Sequence, residues 1–167
     1  IQKAAAESAV KHVSLELGGK NPFIVCEDAN LDDAIKAATN GMNFGWQGQS
    51  CGSTSRLIIH RSQYDELSKK VVERVSQVKV GHPLDTSIKM GPVVSEAQYQ
   101  KVLNYIQIAK DEGAELLLGG NPMEIEGCPG GFFVEPTVFG NVRSNMRIAQ
   151  EEVFGPIMSL MPYDDLD

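Results

Sequence analysis

Residues 22–60, PFIVCEDANLDDAIKAATNGMNFGWQGQSCGSTSRLIIH, hold two short apolar runs with a helical pattern between them. PFIVCE (22–27) and TSRLIIH (54–60) are rich in large apolar and β-branched side chains and have the length of strands. NLDDAIKAATNGMNFG (30–45) repeats its apolar residues at helical intervals, and Asn30 stands where a side chain can cap the first turn. Strand, helix, strand is the order of an α/β fold with a largely parallel sheet.

The same alternation continues outward. Downstream, Tyr64, Leu67, Val71, Val75 and Val78 recur at helical spacing and predict an amphipathic helix over 62–79. GHPLDTSIKMGPVV (81–94) reads as a loop. Ser95 and Gln98 form the pattern of a capping box, opening a helix whose Val102, Leu103, Ile106 and Ala109 face inward. AELLLGG (114–120) reads as a buried strand, and GFFVEPTVFGNV (131–142), with its turn glycines and Pro136, as an edge strand or hairpin. Upstream, HVSLEL (12–17) reads as a strand and residues 1–11 as the tail of a helix. MPYDDLD (161–167) stops where an acidic cap would begin another helix, so both ends look cut and the chain is expected to be a segment of a longer protein. The expected architecture is a three-layer open sheet, largely parallel.

Composition narrows the function. With 42% hydrophobic and 22% charged residues, the 167-residue chain has the material for one sizeable core. A formal charge of −7, with lysines and arginines scattered, argues against nucleic acid and anionic membrane as partners. The opening IQKAAAESAVKH lacks the apolar core and cleavage site of a signal peptide, and no run is long enough to span a bilayer; a cytoplasmic location is expected. Three widely spaced cysteines, without a C-x-x-C pair or a Cys/His cluster, argue against a disulfide framework and a bound metal.

Those cysteines differ in context. Cys26 lies within PFIVCE and is expected to be buried, and Cys128 sits in the loop EGCPGG. Cys51 lies in FGWQGQSCGSTSR (44–56), an irregular connection where glycines leave room for a substrate and free backbone N–H groups can stabilise an anion. The papain-like protease signature matches QGQSCGST only in part: one residue too many precedes Cys51, and Thr54 falls where that nucleophile would be.

LELGGKNP (15–22), GQSCGSTSR (48–56) and EEVFGP (151–156) together resemble, in order and separation, three motifs of the aldehyde dehydrogenase superfamily. MGPVVS (90–95) and GFFVEPTVF (131–139) resemble its connecting segments, so the likeness runs through the whole chain. The resemblance implies the nucleophile-bearing catalytic domain over 18–167, incomplete at its end, with residues 1–17 as the edge of a coenzyme-binding domain. It implies that Cys51 attacks a small-molecule aldehyde, forming a thiohemiacetal and then a thioester with NAD or NADP as oxidant. Glu16 would activate the hydrolytic water, a role that separates hydrolytic members from those acylating coenzyme A. Alone, Glu16 would read as a solvated carboxylate, and Glu152 with Phe154 as a helix end and a core anchor.

The same likeness implies that Glu152 binds the nicotinamide-ribose hydroxyls and that Phe154 contacts the nicotinamide. Backbone at Leu17 and Gly18 would lie near that ring. Gly19, Lys20 and Pro22 are implied to be turn and packing residues, Ser55 and Arg56 supports of the Cys51 loop, and the full-length protein a homodimer or homotetramer. A catalytically inactive homologue serving as a binding or structural protein is the alternative; retention of Cys51, Glu16, Glu152 and Phe154 together argues against it.

Overall fold

Helix α1 (Gln2–Ser8) is followed by a stretch without regular structure as far as Asn21, so the strand expected over 12–17 does not form. A strand needs a hydrogen-bonding neighbour, and among the described residues none lies beside this segment. The structure, a computed structural model, describes residues 1–165. Leu166 and Asp167, where the C-terminal helix was expected to begin and the 18–167 domain to run out, lie outside the described residues.

Strand β1 (Pro22–Val25) leads into helix α2 (Leu31–Gly41), whose first turn is capped by Asn30 Oδ1 accepting from Asp33 N at 3.1 Å. The helix stops short of the expected Gly45 because Asn43 turns left-handed (φ 57°) and a separate 3-10 turn, Phe44–Trp46, takes over. Strand β2 (Arg56–His60) follows and then helix α3 (Arg61–Val75), which ends before Val78, although Val78 still packs against the core. Helix α4 (Glu96–Asp111) precedes β3 (Glu115–Leu118), and β4 (Pro122–Met123) pairs with β5 (Phe133–Val134) as a separate two-stranded ribbon. Strand β6 (Thr137–Gly140), the short helix α5 (Arg147–Gln150) and strand β7 (Ile157–Tyr163) complete the described chain.

The main sheet has the order β1-β2-β7-β6-β3, parallel throughout except at the antiparallel β3–β6 pair. Of the edge strand or hairpin expected over 131–142, β5 lies in the two-stranded ribbon, whereas β6 is internal to the main sheet with all four of its residues buried. Pro136 stands just outside it, in the break between β5 and β6, where no ladder hydrogen bond is lost. The edge falls instead to β3, which is only half buried.

Two cores flank the sheet and make the three layers. Leu57 and Ile59 of β2, Val138 of β6, and Met158 and Leu160 of β7 pack with α2 and α3. Ile58, Phe139, Ile157 and Met161 from the same strands point the other way, to α4 and α5. The period-2 alternation sends each strand's side chains to both cores, as expected for a sheet covered on both faces. Among the described residues no helix is long and apolar enough to cross a membrane. Phe139, 0% exposed, should cost about 3–5 kcal/mol when changed to Ala, whereas Ile24, 51% exposed on the edge strand β1, should cost less than about 1 kcal/mol. Urea titration of both variants checks the contrast.

Candidate active site

Residues 16–21 run into β1, residues 47–55 into β2 and residues 152–156 into β7, and these three strands are parallel neighbours. All three motif segments therefore meet at the amino-terminal edge of the sheet. Glu16, Gly18, Cys51, Glu152 and Phe154 line one cleft there, of about 390 Å³. Leu17 stands apart from it with its side chain 83% exposed.

The loop bearing Cys51 is shaped by its backbone. Asn43 and Gln47 flank the 3-10 turn in left-handed conformations (φ 57° and 55°), and Gly48 follows at φ 65°. A side chain at Gly48 would bring its Cβ to 2.1 Å from the carbonyl oxygen of Gly155, so the Cys51 loop and the Phe154 loop touch backbone to backbone. Thr54 N donates to Gly41 O at 2.9 Å and Val94 N to Gln49 Oε1 at 3.0 Å, tying the loop to the end of α2 and to the segment before α4. The supports expected of Ser55 and Arg56 are present: Ser55 O accepts from Ser159 N at 2.9 Å, and the Arg56 guanidinium donates to Lys20 O.

Cys51 is exposed, and its thiol donates to Glu16 Oε2 at 3.7 Å. Cys26 is exposed as well, against expectation, because it follows the last residue of β1 and has already left the covered strand; Cys128 is half-buried. Exposure alone does not single out Cys51. Location does, since Cys26 lies at the carboxyl end of β1, across the sheet from the cleft.

Glu152 is oriented from the LELGGKNP segment: Gly19 N donates to its Oε1 at 3.3 Å, and a Cβ on Gly18 (φ 69°) would lie 2.6 Å from its Oε2. Gly18 thus serves both turn and close approach. The neighbouring Glu151 is committed elsewhere, bound at 2.9 Å through each oxygen to Arg147 and receiving the Tyr105 hydroxyl, which together hold its carboxyl at about 2. Burial, reinforced by Arg56, brings the Lys20 ammonium down to about 8 against the opposing pull of Glu152, so the implied packing residue carries charge into the wall behind the cleft.

Phe154 adopts φ 59°, a left-handed conformation for a bulky residue. Gln98 stabilises it, donating from Nε2 to Val153 O at 2.9 Å and Phe154 O at 2.6 Å, while Lys101 Nζ donates to Glu152 O at 3.0 Å. The capping box is accordingly half formed. Gln98 N reaches Ser95 Oγ at 3.3 Å, but the Gln98 side chain turns to the loop rather than back to Ser95.

Trp46, Gln49 and Ser50, all in the stretch around Cys51, also line the cleft, and Trp46 and Gln49 were not singled out from sequence. Gln98 and Lys101 were hidden by their distance along the chain, their link to the site being tertiary. A carboxylate held by Gly19 and flanked by an aromatic ring suits the hydroxyls and flat ring of a nucleoside cofactor. Among the described residues no cluster of His, Cys, Asp or Glu could hold a metal ion.

Comparison with known proteins agrees with this geometry. The sequence model of the "Aldehyde dehydrogenase family" matches residues 1–167. The chain is 47% identical over 162 residues to a betaine aldehyde dehydrogenase of Mesorhizobium japonicum, covering 97% of this chain and 33% of that protein. It is 44% identical over 164 residues to one from Brucella ovis, covering 98% and 34%. An NAD+ complex of an aldehyde dehydrogenase from Bacillus cereus superposes with TM-score 0.86 at 41% identity, over 99% of this chain and 32% of that one. A betaine aldehyde dehydrogenase from Staphylococcus aureus, in complex with NAD+, does so with TM-score 0.86 at 38% identity, over 98% and 32%. The chain spans about a third of the length of the curated relatives it matches, and over that span it belongs to the aldehyde dehydrogenase family.

Proposed function

We propose that this chain is the nucleophile-bearing part of an NAD(P)-dependent aldehyde dehydrogenase that releases a carboxylic acid. The observation that carries the proposal is the 3.7 Å contact between Cys51 Sγ and Glu16 Oε2 in the cleft shared with Glu152 and Phe154. Cys51 loses its proton and forms a C–S bond to the aldehyde carbon, giving a thiohemiacetal. When bound, the nicotinamide supplies the two-electron oxidant that turns this adduct into a thioester. Glu152 and Phe154 would hold that group, with Gly18 leaving the space beside them. Glu16 then takes a proton from water as its oxygen attacks the acyl carbon; the C–S bond breaks and the thiolate returns.

The thiol contact gives Glu16 an earlier task as acceptor of the Cys51 proton, which it passes to the oxygen of the adduct and which leaves to solvent on oxidation, so the carboxylate is free again for the water step. The coenzyme-domain border near Leu17 and the homo-oligomer are carried by the family likeness. So is betaine aldehyde as a substrate, which the similar proteins' names suggest and which Trp46, 66% exposed in the cleft lining, suits through the attraction of an indole for quaternary ammonium.

In the full-length enzyme, Cys51→Ala should abolish turnover while cofactor binding stays measurable by fluorescence titration. Glu16→Gln should lower steady-state turnover by roughly a hundredfold or more, the usual contribution of a positioned base. Rapid mixing should still show a first burst of reduced cofactor, slower than in the parent enzyme because Cys51 has lost its proton acceptor. Undiminished steady-state turnover would remove Glu16 from the mechanism. Betaine aldehyde should exceed its neutral isostere, with carbon in place of nitrogen, by about 2- to 30-fold in kcat/KM, as a cation–π contact of about 0.5–2 kcal/mol allows. Trp46→Ala should bring that ratio toward one; an unchanged ratio would assign the ammonium to another group.

A further inference from the structure

The Cys51–Gly52 peptide is held from both sides. Its carbonyl accepts a hydrogen bond from Asn21 Nδ2, and its N–H donates to Ser50 Oγ at 3.1 Å. The same Asn21 amide reaches Ser53 O at 3.4 Å, spanning the turn that follows the nucleophile.

Asn21 is itself anchored in the sheet. Its carbonyl accepts from Arg56 N at 3.3 Å, extending the β1–β2 pairing by one step, and Pro22 after it restricts its backbone to extended conformations. The Arg56 guanidinium grips the preceding carbonyl, Lys20 O. Asn21 and Glu16 belong to one short segment, and Cys51 faces both, its backbone bound to the first and its thiol to the second.

We infer that Asn21 is a positioning residue for the reaction: by gripping the Cys51 carbonyl from the segment that carries Glu16, it sets the thiol within proton-transfer reach of that carboxylate. This rests on the reading of Cys51 as nucleophile and Glu16 as its proton acceptor. A side chain that merely braced the loop would make its contribution independently of Glu16. A positioning role makes the two inseparable.

The test is a double-mutant cycle in the full-length enzyme, read as the rate at which iodoacetamide alkylates Cys51 at neutral pH, the C–S bond forming as iodide leaves. Asn21→Asp keeps the size of the side chain but sets oxygen against the Cys51 and Ser53 carbonyls, and Asn21→Ala removes the grip. Each should slow alkylation at least tenfold and lower kcat by about a hundredfold, the scale expected of a misplacement near 1 Å. The Kd for NAD(P) should stay within twofold, because Asn21 bonds to neither Glu152 nor Phe154. Adding Glu16→Gln to either variant should slow alkylation no further. Multiplying effects, or wild-type alkylation in both Asn21 variants, would overturn the inference. Loss of cofactor binding in both would do so too, by making Asn21 a residue of general stability. Turnover surviving in Cys51→Ala would instead overturn the reading of the nucleophile.

Discussion

The parallel pairing of β1, β2 and β7 is the constraint from which the site follows. Pro22 sits opposite Arg56, and Arg56 opposite Ser159, with hydrogen bonds from Arg56 N to Asn21 O and from Ser159 N to Ser55 O carrying the ladder into the loops. A slip of one residue in either pairing would turn Leu57, Ile59, Met158 and Leu160 out of the core they share with α2 and α3. Burial therefore fixes the register, and the register fixes how far Glu16, Cys51 and Glu152 stand from one another. The geometry of the proposed site is inherited from core packing.

Ligands of open parallel sheets usually lie beyond the carboxyl ends of the strands. Here the motif segments gather at the amino ends, where α2 terminates rather than begins. Its last turn presents carbonyl groups, one of which, Gly41 O, accepts from Thr54 N. Anion stabilisation in the cleft consequently falls to loop amides and side chains instead of the α2 dipole. Gly19 N donating to Glu152 Oε1 is an instance of the local bonding that such a site requires.

Local signals in the sequence carried the elements they should. Asn30 and Ser95 cap their helices, and the apolar runs 22–25 and 56–60 are strands, because caps and short apolar runs depend on neighbours in sequence. β7 escaped notice: residues 157–161 are buried without alternation, and Pro162 sits within the strand, a residue that ordinarily argues against a central position. The run 131–142, read as one edge strand or hairpin, is divided at Pro136: β5 pairs with β4, while β6 is covered on its outer side by the antiparallel β3. HVSLEL has strand composition and no partner among the described residues, so propensity had nothing to act upon. Within the site, the motif segments were legible as segments. The bonds made by Asn21, inside one of them, and by Gln98 and Lys101 were not, since each acts on the backbone of a loop remote in sequence and a hydrogen bond to a carbonyl leaves no mark on the partner's residue type.

The contact between Gly48 and Gly155 has a mechanical consequence. The two segments meet backbone to backbone, with Met42 Cε beside Gly48 and Val102 packed where a Cβ of Gly155 would fall, so neither glycine leaves room for a side chain. The loop bearing Cys51 and the loop bearing Glu152 and Phe154 therefore meet at a fixed backbone separation. In the proposed reaction that separation, set by two glycines, becomes the spacing between the cofactor loop and the thiol.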